Sequence, residues 1–253
     1  MSQDSSDVAP HAAAPPPWGF WGSVAWGALG IAVWLVVQFI ALLAYIATRD
    51  ASHPLTAEAL RHDGFLLGLL TVAAAPGWIA VSVIAARRRG WSARAYLALV
   101  PPRRGEIAVG IACFVALLVA LDLLSLALGR DVVPAFMVEA YTSARNSGSL
   151  VLFLIAVVVA APITEEIAFR GFLFRGLASS FVGVPGTLVL TSAAWTVMHI
   201  QYDVFLLTHI LLIGLLLGWL RWASGSTVLT IGLHALANLV ATVQAAIKVE
   251  WAG

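Results

Sequence analysis

VLFLIAVVVAAPITEEIAFRGFLF, residues 151–174, joins ten residues without a polar side chain to two adjacent glutamates and an arginine. A hydrocarbon core of about 30 Å takes roughly 20 helical residues to cross, and residues 150–178 are long and apolar enough to do so. A charged side chain near the centre of such a helix costs on the order of 2.5–3.5 kcal/mol, so intramembrane acids face the protein interior and find partners there. The stretch therefore reads as a transmembrane helix with a charged face turned inward. Other helices of the chain must enclose that face.

The rest of the 253 residues supplies them. Hydrophobic residues make up 61% of the chain and charged residues 11%, with a mean hydropathy of +0.94, against about 25% charged in soluble domains. Apolar stretches recur at roughly 22–47, 64–86, 106–128, 150–178, 184–200, 203–222 and 226–247. The expectation is an all-α membrane protein, a polytopic bundle of about seven transmembrane helices, with residues 22–253 as the membrane domain. The fifth and sixth segments, parted only by HIQYD, form a tight helical hairpin. There is no internal repeat. Cys113, the single cysteine, lies in the third segment and reads as a small packed residue, because one thiol forms no intrachain disulfide.

Residues 1–21, rich in Ala and Pro and without Lys or Arg, lack the basic start of a signal peptide and read as a disordered tail. Trp18, Trp21 and Trp26 then cluster where the first helix meets the headgroups. Arg87, Arg88, Arg89, Arg94, Arg103 and Arg104 are six of the fourteen basic residues and share one loop free of acids, which places that loop in the cytoplasm. Seven crossings add Arg170, Arg175 and Arg221 to the same side and leave Arg49, Arg61, Arg130, Arg145 and Lys248 on the other. The N-terminus is then cytoplasmic. Topology accounts for the basic loop, so no nucleic-acid partner is expected, and the net charge of +1 adds nothing further.

Glu166 and Arg170 are four residues apart on one helix face, acid before base, and pair with each other. Glu165 lies about 100° around the helix with no cation at that spacing, the setting of a general base. Two further polar pairs stand on other segments: Trp195 with His199, and His234 with Asn238. At about 1.5 Å of rise per residue, Glu165, His199 and His234 all fall near mid-membrane. Helix packing by polar side chains accounts for any one pair better than for all of them at one depth. For His209, in the sixth segment, a packing contact is the expectation, whereas Asp122 in the third either faces a cavity or lies near the headgroups. His11, His53 and His62 fall in the tail or a connecting loop.

A glutamate with two histidines and an amide suits amide hydrolysis, which needs an activated water, a base and a holder for the oxyanion. In one arrangement Glu165, His199 and His234 bind a divalent metal such as zinc, which acidifies its water. In the other, Glu165 and a histidine polarise the water directly while His234 and Asn238 hold the tetrahedral intermediate. The residues leave both open. Other intramembrane protease patterns are missing: there is no HExxH, no GxGD follows Tyr202–Asp203, and WASG at 222–225 lacks the first glycine of GxSG.

Glu165-Glu166-x-x-x-Arg170, an aromatic-x-x-x-His from Trp195 to His199, and His-x-x-x-Asn from His234 to Asn238, in that order on three hydrophobic segments, resemble the CAAX prenyl protease and bacteriocin-processing (CPBP) family of intramembrane proteases. The motifs span 165–238 and the matching framework about 106–247. The resemblance implies a helical bundle with a polar intramembrane cavity and endopeptidase activity. Carried onto this chain, it makes Glu165 the water-activating base, Glu166 and Arg170 its supporting pair, His199 a second water or metal contact, and His234 and Asn238 the remaining ligand or oxyanion contacts. The family motif usually begins its second element with Phe. Trp195 packs the same face, so its effect is expected on the cavity's shape.

An Ala-rich chain with Arg well ahead of Lys points to a GC-rich bacterial source and so to a multi-pass protein of the bacterial plasma membrane. Prenylated substrates are then not expected. A membrane-anchored peptide or protein, cut close to the lipid bilayer, is the expected partner. The alternatives are a non-hydrolytic bacteriocin-immunity or scaffold protein that binds in the same cavity, and a transporter using Glu165, Asp122 and the histidines as a proton relay. A binding role has no need of the full motif set, and the lack of an inverted repeat speaks against the transporter.

Overall fold

Hydrophobic runs of the length read above become helices because a bilayer leaves no water to satisfy the backbone. The computed structural model describes residues 15–48, 56 and 60–251. Among these it is all helical: α1 Phe20–Thr48, α2 Gly64–Arg88, a single turn α3 Ala93–Tyr96, α4 Arg104–Ala127, α5 Ala135–Asn146, α6 Leu150–Ala178, α7 Gly183–Val197, α8 Val204–Ser224 and α9 Thr227–Trp251. Six of them (α1, α2, α4, α6, α8, α9) are long and apolar enough to cross a membrane. The fifth expected segment is helix α7, whose 15 residues reach about 22 Å. Helix α7 ends at Val197, so His199 stands in the turn beyond it. Most of the N-terminal tail, with His11, Arg49 and His53, lies outside the described residues.

Contacts sort the connections into two ends. At one, Trp18 donates its indole N–H to the Ala85 carbonyl (2.9 Å), Arg89 reaches the Pro16 carbonyl, and Arg175 reaches the carbonyls of Tyr96 and Ala95. This basic end therefore holds the start of α1, the 89–103 connection, the end of α6 and the α8–α9 junction. At the other, Arg130 pairs with Asp203 (2.6 Å), Arg145 with Glu250 and Lys248 with Asp131 (2.9 Å). Helix α7 carries the chain between the ends and so completes a seventh traverse of the bundle despite its length. The start of α1 shares an end with the basic loop, as the arginine pattern required.

Helix α1 buries only Ser23, Gly27 and Gly30, small residues that let helices approach closely where lipid offers no hydrophobic drive. A Cβ at Gly30 would meet the Trp78 indole at 2.4 Å. The remaining face of α1, with Leu35, Val36, Phe39 and Ile40, is more than half exposed and meets lipid.

The basic end is sealed by residues 92–100. Tyr96, Leu97 and Ala98 are buried there, with Tyr96 stacked on Phe172. Ala98 takes a left-handed φ of 50°, a conformation costing about 1–2 kcal/mol for a non-glycine residue. It is held by α9, whose Thr227 N–H donates to the Ala98 carbonyl (3.0 Å) while Thr227 and Ser226 hydroxyls donate to Leu97 and Val100 carbonyls. At the opposite end the amphipathic α5 lies over the bundle, burying Met137, Ala140, Tyr141 and Ala144 against Phe153 and Ala245.

Helix α6 is not regular. Ile155–Ala160 and Ile167–Leu173 are wide π turns flanking the Ala161–Glu166 segment. Pro162 explains the first, since proline has no N–H and its ring crowds the carbonyl four residues back. The Ala161 N–H bonds the Ala156 carbonyl, five residues back, which strands the carbonyl of Val157: its donor in the same register would be Pro162. The second turn does the same to Arg170, because Phe174 N–H bonds Phe169. Both stranded carbonyls are met from other helices, as membrane burial demands.

Candidate active site

The charged pair read from the sequence is present and wholly interior. Arg170 Nη1 donates to Glu166 Oε1 at 2.8 Å, with both side chains at 0% exposure. Arg170 Nη2 reaches the Gly214 carbonyl of α8 (3.1 Å), and its guanidinium lies 4.7 Å over the Trp195 ring. His234 Nδ1 faces the same Glu166 oxygen at 3.1 Å. Such a pair repays its desolvation only when its other polar atoms are also met. Here α7, α8 and α9 close around the pair on α6, yet Glu166 Oε2 and Arg170 Nε stay buried without a hydrogen-bond partner among the described residues.

Glu165 is placed differently. Its carboxylate lines a cavity of about 370 Å³ together with Trp195, His199, His234 and Asn238. Trp195 donates its indole N–H to Glu165 Oε2 at 2.5 Å. The departure from the family's phenylalanine is thus chemical as well as steric, because phenylalanine has no such donor. Both imidazoles pack edge-on against that indole, at centroid distances of 5.0 Å for His199 and 5.3 Å for His234. His199 Nδ1 is tied to the Trp195 carbonyl (2.9 Å), leaving Nε2 for the cavity, and Glu166 likewise leaves His234 its Nε2.

Asn238 donates Nδ2 to the stranded Val157 carbonyl at 2.8 Å, so half of its amide is spent on holding α6. The Arg170 carbonyl receives Arg221 Nε (2.9 Å), which also contacts Thr227 Oγ1. Arg170 and Arg221 were counted above as topological charges of the basic end. Both are buried inside the bundle, so the asymmetry rests on the remaining arginines. The sequence analysis gave Arg221, Gly214 and Tyr202 no role in the site. One signal was available: Arg221 sits within the apolar run GLLLGWLRWASG.

The ligand set of the metal arrangement, one of the two left open above, is not assembled. Among the described residues no three His, Cys, Asp or Glu side chains stand together as a metal-ligand group. One Glu165 oxygen is taken by the indole, and the two imidazoles meet Trp195 rather than a common point. Zinc ligands sit about 2 Å from the ion, and Glu165, His199 and His234 do not fit that shell in this arrangement.

Tyr202, in the α7–α8 turn, stacks on His199 and meets Phe136 edge-on. Burial pushes its phenol up to about 12, and the nearby Glu165 charge adds to this, against a lowering from Gln201; it stays a neutral donor. His209 also lines the cavity instead of only packing, as does Asp122, which accepts from Gln244 Nε2 at 2.9 Å. Cys113 is a partly buried free thiol, and His62 contacts Glu139 at the end opposite the basic loop.

Fold and site together define a multi-pass helical membrane protein whose polar centre lies inside its own bundle. Residues 147–240, which carry all three motifs, match the family model described as Type II CAAX prenyl endopeptidase Rce1-like. The match falls on the segment whose motifs resemble that family. No curated protein and no solved structure matches the chain.

Proposed function

We propose that the protein is an intramembrane endopeptidase in which Glu165 activates the attacking water. The observation that carries this reading is the contrast between two neighbouring carboxylates: Glu166 is enclosed and neutralised by Arg170, whereas Glu165 alone faces the cavity, between two histidines. A water between Glu165 and His199 Nε2 would give its proton to Glu165 as its oxygen attacks the peptide carbonyl. The oxyanion would fall to the cavity side of His234, with the neutral Tyr202 hydroxyl as a second donor. Glu165 then returns the proton to the leaving nitrogen. Asn238 acts in this scheme as a positioning residue, holding α6 through Val157.

The substrate class is a membrane-anchored peptide or protein. Residues 22–253 form the membrane domain, set in a bacterial plasma membrane with the basic end in the cytoplasm. The Rce1-like match supports the protease reading over the immunity or scaffold alternative, which would bind in the same cavity without cutting.

The test compares peptide termini in membranes and medium from cells carrying the wild type, Glu165→Gln, or no gene, with bound zinc measured on purified protein. New termini should appear only with the wild type, and loss of the base should cost about 10²–10⁴ in rate. If Glu165→Gln restores the wild-type pattern to a deletion strain, hydrolysis by this residue is excluded and the binding role takes over. Stoichiometric zinc would mean that the trio closes on a metal after all.

A further inference from the structure

One face of α9 runs out of the catalytic centre: His234, Asn238, Ala241 and Gln244 all line the cavity. Gln244 is ten residues beyond His234, about 15 Å along the helix, toward the end opposite the basic loop. There it donates Nε2 to Asp122 Oδ2 (2.9 Å), an acid that α4 carries inside its membrane span. A neutral amide is a weak partner for a carboxylate at that depth. Three cations at this end are engaged elsewhere, Arg130 with Asp203, Arg145 with Glu250 and Lys248 with Asp131.

The third polar member of this wall is His209 on α8. Its ring packs against Phe205, and its Nε2 is buried with no hydrogen-bond partner among the described residues. With Gln244 donating to Asp122, the groups left over are acceptors: the second Asp122 oxygen, Gln244 Oε1, and His209 Nε2 in the tautomer protonated on Nδ1. A wall of acceptors carrying one negative charge fits a ligand that brings only donors and one positive charge.

We propose that Asp122, with Gln244 and His209, forms a specificity subsite that receives a lysine or arginine side chain of the substrate. This rests on the protease reading and names the sequence feature the site selects. Its spacing from His234, about 15 Å, equals four or five residues of extended peptide at about 3.3 Å each. The cationic residue therefore lies four or five positions from the bond that is cut.

The test uses purified full-length protein in detergent and fluorescent hydrophobic peptides in matched sets, with Lys, Gln or Glu at each position in turn. Binding is read by anisotropy and cleavage by mass spectrometry. Wild type should favour Lys over Gln at one position by roughly tenfold in binding and, through KM rather than kcat, in kcat/KM. Asp122→Asn should erase the preference, so that Lys and Gln peptides are treated alike, Asp122→Glu should keep it, and Asp122→Lys should favour Glu peptides. Equal treatment of Lys and Gln peptides by the wild type overturns the subsite and needs no variant to do so, as does a preference that survives Asp122→Asn. Lys-selective binding with no cleavage would instead sink the hydrolytic reading and leave the subsite standing.

Discussion

Glu165 and Glu166 are adjacent in the chain and differ in everything around them. One residue of helical rotation sends Glu166 into a closed ionic cluster and Glu165 to the cavity wall, where it accepts from the Trp195 N–H at 2.5 Å. A hydrogen bond to a charged group is worth about 1.5–3 kcal/mol. Trp195→Phe keeps the ring and removes the donor, so it should lower kcat by roughly tenfold or more with little change in KM, measured on a cleaved peptide. A purely steric role for the indole would show in KM instead. At this scale the sequence was informative about identity and depth: charge, spacing and order singled out Glu165, Glu166, Arg170, His199, His234 and Asn238, and all six lie in or directly behind one cavity. What it could not supply was direction. Whether an indole offers its face or its N–H depends on rotamers that spacing does not set.

At the scale of the helix, the charged face of α6 depends on two wide turns, and each hands a carbonyl to a side chain from another helix. The Val157 carbonyl is met by Asn238 because Pro162 has no N–H to offer it. Asn238→Ala should therefore destabilise the protein by about 1–3 kcal/mol, the cost of an unmet buried acceptor. In a Pro162→Ala background the missing N–H returns, and the same substitution should cost distinctly less. Thermal unfolding of the four proteins of this cycle in detergent checks the coupling; additive costs would mean that Asn238 acts elsewhere. Hydropathy located α6 to within its observed ends, yet said nothing of its pitch, since π turns arise from a proline and its neighbours. Helix α7 was legible as an apolar segment and overdrawn at its end. Its Trp195 carbonyl is bonded by the Met198 N–H and the His199 ring, and its Thr196 carbonyl by the His199 N–H, so the helix stops short and leaves His199 in the turn.

For the whole molecule, the arrangement of ends was the most legible property, because loop arginines follow topology directly. The connections confirm which loops share an end, although two of the arginines that were counted proved to be internal staples. The compartment of each end is testable by labelling. In a Cys113→Ala background, a membrane-impermeant maleimide added to intact cells should modify Ser147→Cys, on the exposed α5–α6 turn, and spare Arg94→Cys in the basic connection until the cells are opened. The reverse pattern would turn the molecule over.

The two ends also differ in what they admit. Residues 92–100 close the basic end, whereas the cavity's lining runs out to Val132, Pro134, Phe136, Gln201 and Tyr202 at the other. If the labelling puts the basic end in the cytoplasm, a small inhibitor aimed at Glu165 would reach its target from outside the cell. In that orientation its potency would not depend on crossing the bilayer that holds the protein.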